Sequence, residues 1–114
     1  MPFPPPAAED GPIDLEHLRR TSLGDAGLER EVLGMFLKQA GRLVGALAAM
    51  PPEASALAHT LKGSARAIGA FRVADRAGEL EPAIRDGDPT QALAELDAAV
   101  AEARAAIEHI LSRP

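Results

Sequence analysis

Residues 57–84 read LAHTLKGSARAIGAFRVADRAGELEPAI, and this stretch decides the fold class. Apolar residues recur in it every three or four positions, which is the period of an α-helix with one buried face. The stripe before Gly69 consists of Leu57, Leu61, Ser64 and Ile68, and the stripe after it of Val73, Ala77, Leu80 and Ile84. Because glycine is favoured just past the end of a helix, we predict two consecutive helices that meet at Gly69.

Three further helices are predicted on either side of this pair. Asp14 can cap a short helix that carries Leu15 and Leu18, and Asp25 can cap a long helix that ends before Pro51 and Pro52. Since proline is tolerated in the first turn, the third helix can begin at those two prolines. The long helix is expected to bury Leu28, Val32, Met35, Phe36, Leu43 and Leu47.

The last helix is expected after the turn Asp86-Gly87-Asp88-Pro89, with Asp88 as its cap and Pro89 in its first position. Its apolar positions are Leu93, Leu96, Val100, Ala103, Ile107 and Leu111. Short connections between amphipathic helices favour antiparallel neighbours. The sequence therefore predicts an all-α fold, an antiparallel up-down four-helix bundle with a short additional N-terminal helix.

The domain organisation follows from length and proline content. The chain has 114 residues, which suits one domain, expected over residues 13–114. Five of the ten prolines fall within residues 1–12, so this segment is expected to be a flexible Pro-rich tail. It shows neither a secretory signal pattern nor a long apolar run, so we expect a cytoplasmic protein without a membrane span.

Composition and missing motifs exclude several functions. The net charge of -5 disfavours nucleic-acid binding, and without cysteine there is no disulfide or thiolate chemistry. None of the three histidines, His17, His59 and His109, belongs to a Glu-x-x-His pair, so a metal site is not expected. Neither a G-x-S-x-G hydrolase turn nor a nucleotide-binding P-loop is present.

His59 differs from the other histidines in its setting. It lies on the side of the third helix away from the apolar stripe, where an ordinary solvated histidine is the simplest interpretation. One turn later comes Gly63, although glycine costs about 1 kcal/mol relative to alanine in a helix interior. Lys62 is one of only two lysines among twelve basic residues. An open approach and a compact ammonium beside an imidazole would suit a phosphoryl group.

A carboxylate on the fourth helix is expected to reach His59. His59 lies ten residues before Gly69 and Glu81 lies twelve after it, or about 15 Å and 18 Å along the two helices. Glu81 can therefore fix the imidazole tautomer by accepting a hydrogen bond, and the same counting leaves Glu79 open. Pro82 follows directly and can kink the helix at this point.

These residues carry a family resemblance. The segment His59-Thr60-Leu61-Lys62-Gly63-Ser64-Ala65, followed by Ile68-Gly69-Ala70 and Leu80-Glu81, resembles the histidine-containing phosphotransfer (HPt) domains of two-component phosphorelays. The resemblance implies that His59 accepts phosphate, Lys62 supports the phosphoryl charge, Gly63 gives a partner access and Glu81 bonds the histidine. The surrounding residues expected to contact the partner are Ser55, Ala56, Gly63, Arg66 and Ala70.

The resemblance also implies a mode of action. His59 would take a phosphoryl group from an aspartyl phosphate on a receiver domain and pass it to another receiver, as a carrier without ATP-dependent kinase activity. The expected partners are the receiver domains of a hybrid histidine kinase and a response regulator. No cofactor is expected in this chain, Mg²⁺ belongs to the receiver, and the chain is expected to be monomeric. The alternative is a helical-bundle adaptor that binds a signalling partner without carrying phosphate.

Overall fold

Between residues 11 and 113, five helices follow one another, and short turns connect them. The computed structural model describes residues 11–113, so most of the predicted tail lies outside the described residues. The helices are α1 (Leu15–Thr21), α2 (Ala26–Ala48), α3 (Ala54–Ile68), α4 (Phe71–Arg85) and α5 (Thr90–Leu111). No strand occurs between residues 11 and 113. The predicted all-α fold is confirmed.

The four long helices form a bundle in which each packs against two others. Neighbours along the chain pack together, and α5 returns to contact α2, so that α3 and α5 lie diagonally across the bundle. The short helix α1 packs against α3. None of the helices in the described part of the chain is both long enough and apolar enough to cross a membrane.

Aspartates begin the first two helices, as predicted. The Asp14 carboxylate accepts a hydrogen bond of 3.0 Å from the backbone N–H of His17, and Asp25 accepts one of 3.0 Å from the N–H of Leu28. Each bond satisfies an N–H group that has no partner within its helix. Local sequence signals therefore fix the starts of α1 and α2.

Gly69 determines the sharp turn between α3 and α4. Its φ of 87° lies in the left-handed region, and the N–H of Ala70 donates to the carbonyl of Ala65 at 2.8 Å, which closes a Schellman motif. A Cβ at position 69 would lie 2.7 Å from the carbonyl oxygen of Asp14. Glycine is therefore required both for the turn and for the close approach of α1.

The N-terminal ends of α3 and α5 differ slightly from the prediction. The third helix begins at Ala54, whose N–H donates to the carbonyl of Pro51 at 2.9 Å, and not at the two prolines themselves. The fifth begins at Thr90, one residue after Pro89, and the Asp88 side chain accepts from the Thr90 N–H at 3.3 Å. In both places the prolines lie shortly before the first helical residue.

The buried face of α2 is rotated from the predicted one. Leu28 and Met35 are 39% and 64% exposed, whereas Leu33 and Ala40 are buried beside Phe36. The predicted positions were therefore wrong for Leu28 and Met35. This helix has more apolar residues than one face can bury, and contacts with α3 and α5 select the stripe Leu33, Phe36, Ala40, Leu43 and Leu47.

The core of α3 is built largely from alanine. Its buried residues are Ala54, Ala58, Leu61, Ala65 and Ile68, whereas the predicted Leu57 and Ser64 are half-buried. Small side chains allow close packing of α3 against α4, where the bundle is in densest contact. In α4 and α5 the predicted apolar positions are buried or half-buried, as expected.

Candidate functional site

The side chain of His59 projects into solvent from a rigid part of the bundle. It is 69% exposed, while Ala58 and Leu61 on the same helix are completely buried. The backbone of His59 is therefore held by the core, and its imidazole remains accessible. A macromolecular partner can approach the ring without any change in the fold.

Glu81 of α4 lies close to both His59 and Lys62 of α3. Its Oε1 atom lies 3.4 Å from Nδ1 of His59, and its Oε2 atom lies 3.4 Å from Nζ of Lys62. The Glu81 side chain is only 19% exposed, and its chain neighbour Leu80 is completely buried. The antiparallel pairing of α3 and α4 around Gly69 brings the two sites to the same height, as the residue count predicted.

Glu79, the alternative that counting left open, takes part in a different contact. Its Oε1 atom accepts a hydrogen bond of 2.9 Å from Nη1 of Arg76, which also lies 3.6 Å from Oε1 of Glu95 on α5. The bond to Glu79 and the charges of Glu79 and Glu95 raise the pKa of Arg76. Arg76 therefore directs Glu79 toward α5, and Glu81 is the carboxylate beside His59.

Pro82 does not end α4, which continues to Arg85. Proline lacks the N–H that would bond to the carbonyl of Gly78, four residues earlier. The N–H of Asp86 nevertheless donates to the carbonyl of Pro82 at 2.9 Å, so the helical pattern resumes after the proline. Glu81 keeps its position despite the neighbouring Pro82.

Lys62 lies across α4 at a position that the sequence did not reveal. Its side chain is 27% exposed, and a Cβ added at Gly78 would lie 3.3 Å from its Cδ atom. The lysine stem therefore passes over the bare backbone of Gly78. A glycine inside a predicted helix was the available signal, but the pairing of Gly78 with Lys62 depends on how α3 and α4 pack.

Gly63 faces open space. A Cβ at this position would meet no atom within 4 Å, so close packing does not explain the glycine. The described residues therefore leave the side of α3 at Gly63, one turn from His59, unobstructed. Nothing in the fold requires glycine here, which is the condition expected if a partner needs the space.

Four of the five residues expected to contact a partner are exposed or half-buried. Ala56, Gly63 and Arg66 are exposed and Ser55 is half-buried. Ala70 is completely buried, so the expectation that it contacts a partner is wrong. The α3 helix ends at Ile68 and the chain reverses at Gly69, so Ala70 no longer follows the helical direction that was projected for it.

The other two histidines have different surroundings. The ring of His17 packs edge-on against Phe71 with 5.1 Å between centroids, and its Nε2 atom is buried without a hydrogen-bond partner in the described part of the chain. His109 is exposed in the last turn of α5, the helix diagonal to α3. Among residues 11–113, no carboxylate and ammonium accompany either of these histidines as they do His59.

Comparison with known families agrees with this arrangement. The model of the Hpt domain family matches residues 31–112. The matched range contains His59, Lys62, Gly63 and Glu81 together with most of the bundle. A comparison with curated proteins gives no match.

Proposed function

Because the chain belongs to the Hpt domain family, whose members are phosphocarriers of two-component systems, we propose that His59 is its phosphoacceptor. The observation that carries the proposal is the contact between Nδ1 of His59 and Oε1 of Glu81 at 3.4 Å. A carboxylate at this nitrogen favours the tautomer that keeps the proton on Nδ1. The lone pair of Nε2 is then available to a partner.

The transfer step forms one bond and breaks one. The Nε2 lone pair attacks the phosphorus of an aspartyl phosphate on a receiver domain, and an N–P bond forms as the bond from phosphorus to the aspartate oxygen breaks. The carboxylate leaves on the receiver, and the proton on Nδ1 stays on the ring, facing Glu81. The positive charge that develops on the imidazole is stabilised by this carboxylate.

Lys62 contributes a positive charge on the same side of α3. Its Nζ atom is held 3.4 Å from Glu81, one helical turn from His59, and a flexible ammonium can follow the phosphoryl oxygens. Transfer is then mainly a matter of positioning and charge stabilisation. In this proposal the chain needs no metal of its own, and Mg²⁺ is bound by the receiver.

The partner surface surrounds His59. Ala56 and Gly63 are small, exposed residues, and Arg66 adds an exposed positive charge. We propose that the receiver domains of a hybrid kinase and of a response regulator use this surface in turn, with the chain acting as a monomer. Its cytoplasmic location stays a prediction.

The proposal is tested by mixing the protein with a receiver domain that carries labelled aspartyl phosphate. We expect label to move to this chain and to be lost in acid but kept in alkali, as for phosphohistidine. Incubation with labelled ATP alone is expected to leave the chain unlabelled. Stable binding to the receiver with no label transferred would contradict the proposal and favour a phosphate-free adaptor.

A further inference from the structure

The stem of Lys62 crosses from α3 to α4 at a point where α4 has no side chain. We propose that Gly78 is a positioning residue for Lys62: its bare backbone seats the lysine stem so that Nζ rests on Glu81 beside His59. The inference rests on the proposed phosphotransfer role of His59.

Two residues on one face of α4 lie beside the lysine side chain. A Cβ at Gly78 would lie 3.3 Å from Cδ of Lys62, and Nζ lies 3.4 Å from Oε2 of Glu81. Positions 78 and 81 are three residues apart and therefore lie on the same side of the helix. Gly78 thus lies beside the middle of the side chain, and Glu81 lies at its charged end.

Glycine inside a helix is not sufficient for this inference, because α2 and α3 contain several. A Cβ added at Gly34, Gly45 or Gly63 would meet no neighbouring group within 4 Å among the described residues, so these glycines do not make room for another side chain there. Gly78 differs because a side chain added at this position would press on Lys62, the lysine beside the proposed phosphoacceptor. Its carbonyl also lacks the N–H that residue 82 would supply if it were not proline. The helix is thus intrinsically weak where it supports Lys62.

The groove beside the contact shows where a displaced lysine would go. It has a volume of about 440 Å³, lies between α3 and α4, and is lined by Lys62, Gly78 and Pro82 among others. A side chain at position 78 would occupy the path of the stem and move Nζ away from Glu81. The ammonium would then no longer be held beside His59.

The position of Lys62 can be measured without phosphate. The chain has two lysines, and the exposed Lys38 on α2 is an internal standard for reductive methylation followed by mass spectrometry. We expect Lys62 to react several-fold more slowly than Lys38. Gly78→Ala should raise the ratio of Lys62 to Lys38 labelling, and Gly78→Leu should raise it further. The matched variants Gly45→Ala and Gly45→Leu should leave the ratio unchanged.

Transfer rates test whether the position that Gly78 gives Lys62 is needed for phosphotransfer. We expect Gly78→Leu to slow phosphate uptake from a receiver about as much as Lys62→Ala does, and to have less than a twofold effect when Lys62 is already alanine. Equal slowing in both backgrounds would overturn the proposal, because it would show that position 78 acts independently of Lys62. An unchanged labelling ratio in both Gly78 variants would overturn it as well.

The two proposals fail in different ways. If the wild-type protein takes up no phosphate, the role of His59 is wrong, and the labelling ratio still decides whether Gly78 seats Lys62. If uptake is normal but substitutions at position 78 change neither the labelling ratio nor the transfer rate, only the positioning role of Gly78 is wrong. Should Gly78→Leu fail to fold, Gly78→Ala provides both measurements, because alanine favours the helix.

Discussion

The Glu81 carboxylate of α4 lies 3.4 Å from Nδ1 of His59 on α3, and its second oxygen lies 3.4 Å from Lys62. In the proposed function, this half-buried carboxylate orients the ring and holds the nearby ammonium. The proton is then expected on Nδ1, which leaves the lone pair of Nε2 for the transfer step. This relationship makes the site sensitive to changes on α4 as well as on α3.

Replacing His59, the proposed phosphoacceptor, should abolish phosphate uptake and leave the protein folded. Because the His59 side chain is 69% exposed, His59→Gln is expected to change the free energy of unfolding by less than about 0.5 kcal/mol. Phosphate uptake from a receiver should be abolished. Circular dichroism melting and label transfer measure the two effects, with His109→Gln as the matched control. Normal uptake by the His59 variant would move the site to another residue.

Glu81 is expected to determine the imidazole tautomer. In the wild type, Glu81 should keep the proton on Nδ1 of His59, and Glu81→Ala should increase the fraction protonated on Nε2. Nitrogen-15 chemical shifts of the His59 ring distinguish the two forms. Glu79→Ala is the control, since Glu79 bonds to Arg76 instead. Identical ring shifts in wild type and the Glu81 variant would show that another group orients His59.

A side chain at Gly63 should affect stability and transfer in opposite directions. Gly63→Gln is expected to stabilise the helix by up to about 1 kcal/mol, because the position faces open space. It should slow phosphate uptake by obstructing the receiver. Gly45→Gln, at another open position on α2, should give a similar stabilisation with an unchanged rate. Unfolding by urea and transfer kinetics provide the two values, and equal rates in all three proteins would contradict a role in access.

The charge of Lys62 should be more important than its shape. A charge-assisted hydrogen bond contributes about 1.5–3 kcal/mol, so Lys62→Ala should slow transfer about tenfold or more, and Lys62→Arg should slow it less. Because exposed charges are screened, the difference should shrink as salt is raised. Arg104→Ala removes a charge from α5, on the diagonal of the bundle, and should have little effect. A salt-independent loss would assign Lys62 a purely steric role.

Removing the proline from α4 should stabilise the protein. A proline in a helix interior costs about 3 kcal/mol, of which up to about 1 kcal/mol is offset by its more restricted unfolded chain. Pro82→Ala restores an N–H for the Gly78 carbonyl and is expected to raise the free energy of unfolding by about 2 kcal/mol. Urea unfolding measures the change. A lower stability would mean that packing of the proline ring outweighs the missing bond.

Signals within a few residues were sufficient to predict much of the fold. Asp14 and Asp25 begin helices because their carboxylates bond to backbone groups three residues ahead. Gly69 ends α3 because the left-handed conformation suits glycine. These interactions join residues that are close in the chain, so they can be predicted from the sequence. Helical geometry also predicts that His59 points outward. The rise per residue along two helices joined at Gly69 predicts that Glu81 lies at the same height as His59.

Where the local sequence allowed two arrangements, contacts in the tertiary structure determined which one forms. Either face of α2 could have been buried. Contacts with neighbouring helices bury Leu33 and leave Met35 exposed. Counting allowed Glu79 as well as Glu81, and Arg76 bound Glu79. The approach of the Lys62 stem to Gly78 depends on how α3 and α4 pack. Such outcomes depend on the free energies of contacts between residues far apart in the chain, and a pattern within one helix contains no information about them.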